Sequence, residues 1–265
     1  MVTPFNDLEF KQKHRLGAIN SINWARVLAQ VVYYVYAMFK LRTQGFESVD
    51  FSVPTGNFGD IFAGYIAKRL MPDGMINRLV LATNKNDILA RFVNKGDYSK
   101  GDVSATFSPS MDIQIASNFE RYLYYLRGED SALVKQDMET FSATGQLDLS
   151  SLRETVAGDF CSRSVSEEET LEIIRQYYDQ QDYLVDPHTA VGLRAGQEFM
   201  TPERPMICLA TAHPAKFGEA VKKAIGQEPA LPPALAGLDK AESRCVTLDA
   251  DTEMIKSYMQ EHVSE

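Results

Sequence analysis

Apolar positions along this chain change period several times, and the changes lay out an α/β fold. From Trp24 to Phe39, the residues Trp24, Val27, Leu28, Val31, Val35, Met38 and Phe39 recur at helical spacing, while Ala25, Ala29, Tyr33, Tyr34 and Ala37 make the other faces apolar too. A helix that is apolar nearly all round is expected to lie buried between layers. Asn20, Ser21, Ile22 and Asn23 offer N-cap candidates for it, and Gly45 ends it after Gln44. Val49 to Val53 then reads as a short buried strand, and 58–70 as a helix that stops before Pro72-Asp73-Gly74. Residues 78–83 form a second strand, and 88–94 a helix capped by Asn86 or Asp87. Strand, helix, strand, helix predicts an open, mostly parallel sheet with helices on both faces.

The rest of the chain continues the pattern. A polar loop spans 95–109, a helix 111–127, and two short helices 131–141 and 148–157; 160–165 reads as an extended link. A helix begins at Glu167-Glu168-Glu169, with its acids at the positive end of the dipole, and runs to Tyr178. Another spans 188–200, entered from Asp186-Pro187. A third strand covers 205–210, Pro214 opens a helix to Ile225, and 227–237 is a proline-bearing loop. An edge strand over 244–248 and a helix over 252–261 complete the chain. With no internal repeat and no long linker, 1–265 reads as a single α/β domain. Met1 to Asp7 is neither a strand nor a capped helix and looks like the middle of a longer pattern, so an upstream N-terminal region is expected to be missing.

Composition narrows the function. The net charge is −9, with no basic stripe, which argues against a nucleic-acid partner. The longest apolar run, Val27 to Phe39, is broken by Gln30 and flanked by Arg26 and Lys40, too short for a membrane span. Cys161, Cys208 and Cys245 are widely spaced and form no C-x-x-C pair, so free thiols in a reducing compartment, the cytoplasm, are expected.

Candidate chemistry gathers where strands give way to helices. Pro54-Thr55-Gly56-Asn57-Phe58-Gly59-Asp60 lies at such a turn, where unpaired N–H groups and the helix dipole favour an anion. Two glycines there suit either a phosphate cradle or tight packing alone, and the stretch is neither a dinucleotide fingerprint nor a P-loop. Thr211-Ala212-His213-Pro214 sits at another strand end; the Thr211 hydroxyl can meet a ring nitrogen, or Thr211 or His213 can cap the next helix. Arg26, a cation at a helix start, can clamp a phosphate or carboxylate, or be a surface residue. Asp186, His188 and His213 fit no metal-ligand spacing, and no metal is expected.

Six stretches in order make the chain resemble the threonine synthase family, most nearly its longer, fungal-type members: 17–26 (GAINSINWAR), 54–61 (PTGNFGDI), 82–89 (ATNKNDIL), 108–113 (SPSMDI), 186–192 (DPHTAVG) and 211–217 (TAHPAKF). The resemblance implies the large C-terminal domain of the tryptophan-synthase β-like fold and pyridoxal phosphate as cofactor. It implies that Gly56, Asn57, Phe58 and Gly59 hold the cofactor phosphate, with Asp60 beside them, and that Thr211 faces the pyridine nitrogen. Asn20, Ser21, Asn23 and Arg26 are implied to lie near the substrate, O-phosphohomoserine. The activity implied is conversion of O-phosphohomoserine and water to threonine and phosphate, in threonine biosynthesis. The family's Schiff-base lysine lies upstream of the matched stretches and has no counterpart in the chain. No catalytic residue is therefore assigned, and the chain alone is expected to be inactive. Lys85 and Lys216, at strand ends, are the lysines placed to substitute. Two other readings stand beside this one: a short protein that binds pyridoxal phosphate or a phosphorylated metabolite without catalysis, and an interaction module that uses the fold without a cofactor.

Overall fold

The computed structural model describes residues 6–243 and 245–262, except the side chain of Asp239. The expectations at Met1–Phe5 and at Arg244 lie outside the described residues. The chain divides into two compact units, Ser21–Ala230 and a smaller one formed by Met1–Asn20 and Leu231–Glu265. In the smaller unit the helices Leu8–Lys13 and Thr252–His262 are joined by an ion pair of 2.8 Å between Lys256 and Asp7. Residues 245–248 form no strand, contrary to expectation.

The larger unit is built on a parallel sheet. Its strands are β1 (Val49–Pro54), β2 (Ile76–Thr83), β5 (Phe160–Ser164) and β6 (Met206–Cys208), in the order β5-β2-β1-β6. A separate antiparallel hairpin pairs β3 (Asp97–Ser99), which lies in the stretch expected as loop, with β4 (Gln146–Asp148). β1 is buried at every position, as a central strand between two helical layers must be. Phe160–Ser164, expected as a link, is an outer strand of the sheet, at the edge opposite β6. Its alternation of buried and half-buried positions is too short to stand out in sequence.

Helices cover both faces. On one, Tyr34 of the Trp24–Arg42 helix packs 4.8 Å from Phe51, and the Gly59–Leu70 helix lies alongside. Beyond it an aromatic cluster joins Phe58, Phe92, Phe119, Tyr122 and Phe160. On the other face the Pro187–Phe199 helix presses close enough for the Ser52 hydroxyl to donate to the Gly192 carbonyl at 2.6 Å. A Cβ on Gly192 would stand 2.8 Å from the ring of Pro54, so the approach of helix to strand requires glycine.

Two helices differ from the pattern. The Trp24–Arg42 helix buries one face only, through Val27, Val31, Tyr34 and Met38, and leaves Leu28, Val32 and Tyr36 more than half exposed. Periodicity reports which positions are apolar, not which face finds a neighbour. The helix expected over 111–127 begins only at Phe119. Upstream, the Asp112 carboxylate accepts from Thr106, Asn84 and Asn86, and this holds 112 in a loop after a 3-10 turn at Pro109–Met111. Among the described residues no helix is long and apolar enough to cross a membrane.

Candidate functional site

At the C-terminal edge of the sheet, the end of β1, the loop at Ser110 and the segment after β6 enclose a cavity of about 310 Å³. Open α/β sheets bind ligands at this edge, and the volume suits a small cofactor. Its wall includes all of Pro54–Asp60, with Ser21, Arg26, Gln30, Ser110, Met111, His188, Thr211, Ala212, Lys216 and Phe217.

The turn owes its shape to two residues. Phe58 adopts the left-handed conformation, φ 64°, at the N-cap of the Gly59–Leu70 helix, and no side chain caps that helix. A side chain rarely accepts that backbone shape unless packing holds it, and here the Phe58 ring is 1% exposed within the aromatic cluster. At Gly56 the structure shows the tight packing that was one of its two expected uses. A Cβ there would lie 2.5 Å from the Ser110 carbonyl oxygen, so the glycine admits a second backbone segment to the cavity wall. Asn57 joins the turn to the Phe119–Leu126 helix: its carbonyl accepts from the backbone and side-chain amides of Asn118, that helix's N-cap residue, at 3.1 and 3.0 Å.

Of the residues singled out in sequence, Gly56, Asn57, Phe58, Gly59, Asp60, Thr211, Ser21 and Arg26 meet on this one cavity. Asn23 is not on its wall; its side-chain oxygen caps the Trp24–Arg42 helix by accepting from the Ala25 N–H at 2.9 Å. Asn20 belongs to the smaller unit. His213 acts as a cap, its Nδ1 accepting from the Ala215 N–H at 3.1 Å. Of the two candidate lysines, Lys216 lines the cavity and Lys85 does not. Sequence reading did not assign Gln30, Ser110, Met111 or Phe217 to a site. For Ser110 the signal was its place in a loop that a glycine elsewhere must admit, a pairing no single sequence displays.

Asp60 carries an unusual charge balance. Burial pushes its carboxyl up to about 6, against the weaker pull of the Tyr34 hydroxyl, which donates to it at 3.1 Å. The folded-state value lies above the unfolded value of 3.8, so the stability Asp60 contributes is complete below 3.8 and is lost as pH rises through about 6. Asp60→Asn should therefore stabilise the protein at pH 8, by up to about 3 kcal/mol, with no gain at pH 3.5. Urea unfolding at both pH values checks this; equal stabilities at pH 8 would refute it.

The C-terminal model of threonine synthase matches residues 189–259. Over 97% of its length the chain is 46% identical to threonine synthase of Pseudomonas aeruginosa, covering 55% of that protein, and over 98% it is 41% identical to the Saccharomyces cerevisiae enzyme, covering 56%. The crystal structure of threonine synthase from Brucella melitensis with bound pyridoxal phosphate superposes with a TM-score of 0.89 at 43% identity, over 98% of this chain and 55% of that one. The chain thus spans about half the length of the relatives it matches.

Proposed function

We propose that this chain, which belongs to the threonine synthase family, is the cofactor-holding part of a pyridoxal-phosphate-dependent lyase that converts O-phosphohomoserine and water to threonine and phosphate. In this reading Gly56, Asn57, Phe58 and Gly59 hold the cofactor phosphate, with Asp60 at the edge of that site. The Thr211 hydroxyl meets the pyridine nitrogen. Ser21 and Arg26, which line the cavity, receive the substrate. When bound, pyridoxal phosphate supplies an electron sink for carbanion chemistry. The residues of this chain bind and orient it: uncapped N–H groups and the helix dipole at the phosphate end, a neutral hydroxyl at the ring end.

The observation that carries the reading is the meeting of the 54–60 turn, Thr211, Ser21 and Arg26 on one cavity of about 310 Å³, the size of a small-cofactor site. Turnover requires the lysine that the family carries outside the matched stretches, so the 265 residues alone should take up the cofactor reversibly and without catalysis. Borohydride treatment of the cofactor-loaded chain, followed by peptide mass mapping, tests this. The reading predicts no stoichiometric label on any one lysine. A label confined to Lys216, which stands on the cavity wall, would instead give this chain its own covalent attachment point.

Non-catalytic binding of the cofactor or of another phosphorylated metabolite at the same cavity is the second reading. Co-expression with the first 45% of a relative separates the two. Restored threonine formation supports the first reading, and its absence in a correctly folded pair supports the second.

A further inference from the structure

Behind the cavity wall lies one buried carboxylate with two divergent arms. Asp186 is 1% exposed and caps the Pro187–Phe199 helix, its Oδ1 accepting from the His188 N–H at 2.9 Å. The same oxygen lies 3.0 Å from His188 Nδ1, and Oδ2 accepts from the Thr189 hydroxyl. Each side chain then reaches a distant part of the wall. His188 Nε2 accepts from the backbone N–H of Ser110 at 3.2 Å. That fixes the tautomer: Nε2 is unprotonated, so Nδ1 carries the hydrogen and donates it to Asp186. The Thr189 oxygen, its hydrogen turned to Asp186, accepts from the N–H of Thr211 at 3.1 Å.

A helix cap needs only the first of these bonds. The others link Asp186 to segments that define opposite ends of the site. Ser110 is the backbone that Gly56 admits beside the phosphate turn, and Thr211 is the residue assigned to the ring nitrogen. Burial pushes the Asp186 carboxyl up, but the hydrogen bonds from His188 and Thr189 outweigh it and hold the group below the usual range, so it stays ionised and accepts from both arms.

Resting on the cofactor reading above, we infer that Asp186, His188 and Thr189 are positioning residues: the His188 arm fixes the phosphate end through Ser110, and the Thr189 arm fixes the ring end through Thr211. The arms are separable. Thr189→Val removes a hydroxyl at nearly constant shape, Thr189→Ser restores it, and His188→Leu removes the acceptor for Ser110.

The test measures amide hydrogen exchange at Ser110 and Thr211 in the cofactor-free chain, and the affinities for inorganic phosphate and pyridoxal phosphate, in variants whose circular dichroism matches wild type. One lost hydrogen bond is worth about tenfold. Thr189→Val should therefore speed Thr211 exchange and weaken pyridoxal phosphate about tenfold. It should leave Ser110 exchange and inorganic-phosphate affinity unchanged, and Thr189→Ser should return wild-type values. His188→Leu should speed Ser110 exchange and weaken inorganic phosphate. Wild-type exchange at Thr211 in Thr189→Val, or equal loosening of both amides in either variant, overturns the inference. A wild-type chain that binds neither ligand overturns the cofactor reading, and the two amides alone then decide whether the arms hold their ends.

Discussion

Replacing Gly56 with alanine is expected to weaken binding of inorganic phosphate and pyridoxal phosphate about 100-fold, or about 3 kcal/mol. The added Cβ would stand 2.5 Å from the Ser110 carbonyl oxygen. That neighbour is backbone and cannot rotate away, and its own N–H is held by His188 Nε2. Either the Ser110 segment moves outward or the turn moves inward, and both displace N–H groups from an anion whose bonds are charge-assisted and distance-sensitive. The overpacking also costs about 1–3 kcal/mol of stability. Calorimetric titration with each ligand, beside a urea unfolding curve, measures both effects. An unchanged affinity would mean that the turn does not hold the phosphate.

Phe58→Ala should lower stability by about 3–5 kcal/mol, the usual cost of emptying a buried aromatic site. The ring is 1% exposed and meets Phe119, Tyr122 and Phe160 at centroid distances of 5.7–6.0 Å. Alanine keeps the left-handed backbone at φ 64° and loses the packing that holds it. Phe58→Leu keeps most of the volume and should cost less than half as much. Urea midpoints rank the three proteins; an alanine variant as stable as wild type would show that the cluster does not anchor the turn. Because the ring buttresses the residue that opens the helix, the alanine variant should also bind phosphate more weakly at temperatures where it remains folded.

The sheet was legible because β1 alternates apolar Val49, Phe51 and Val53, β2 carries the apolar run Leu79-Val80-Leu81-Ala82, and each ends in turn residues before a helix. The parallel orientation of β1 and β2 follows from the helix that connects them. The strand at Phe160–Ser164 was not legible, because Ser162 and Ser164 hide its apolar face; their hydroxyls donate instead to the carbonyls of Leu81 and Asn84. The exposed face of the Trp24–Arg42 helix could not be foreseen either, since apolar residues on all sides carry no mark of which side is covered.

At the site, local motifs were readable and their meeting was not. Gly56 to Asp60 and Thr211 each announce a strand end, while the cavity that joins them depends on sheet order. For Gly56 the packing alternative is the one with a visible partner. Its missing side chain makes room for the Ser110 backbone, while Gly56 itself also lines the cavity. Both ring nitrogens of His188 face protein groups, Asp186 and the Ser110 N–H, contacts that its place in the sequence does not display.

In the proposed function the 54–60 turn and Thr211 grip the two ends of one pyridoxal phosphate. Titrating the cofactor into isotopically labelled protein, with amide spectra recorded at each step, tests it most directly. Binding should saturate at one to one, with the largest shifts at Gly56, Asn57, Phe58, Gly59 and Thr211. Binding that leaves Thr211 and the turn unmoved, or no binding at all, would contradict it.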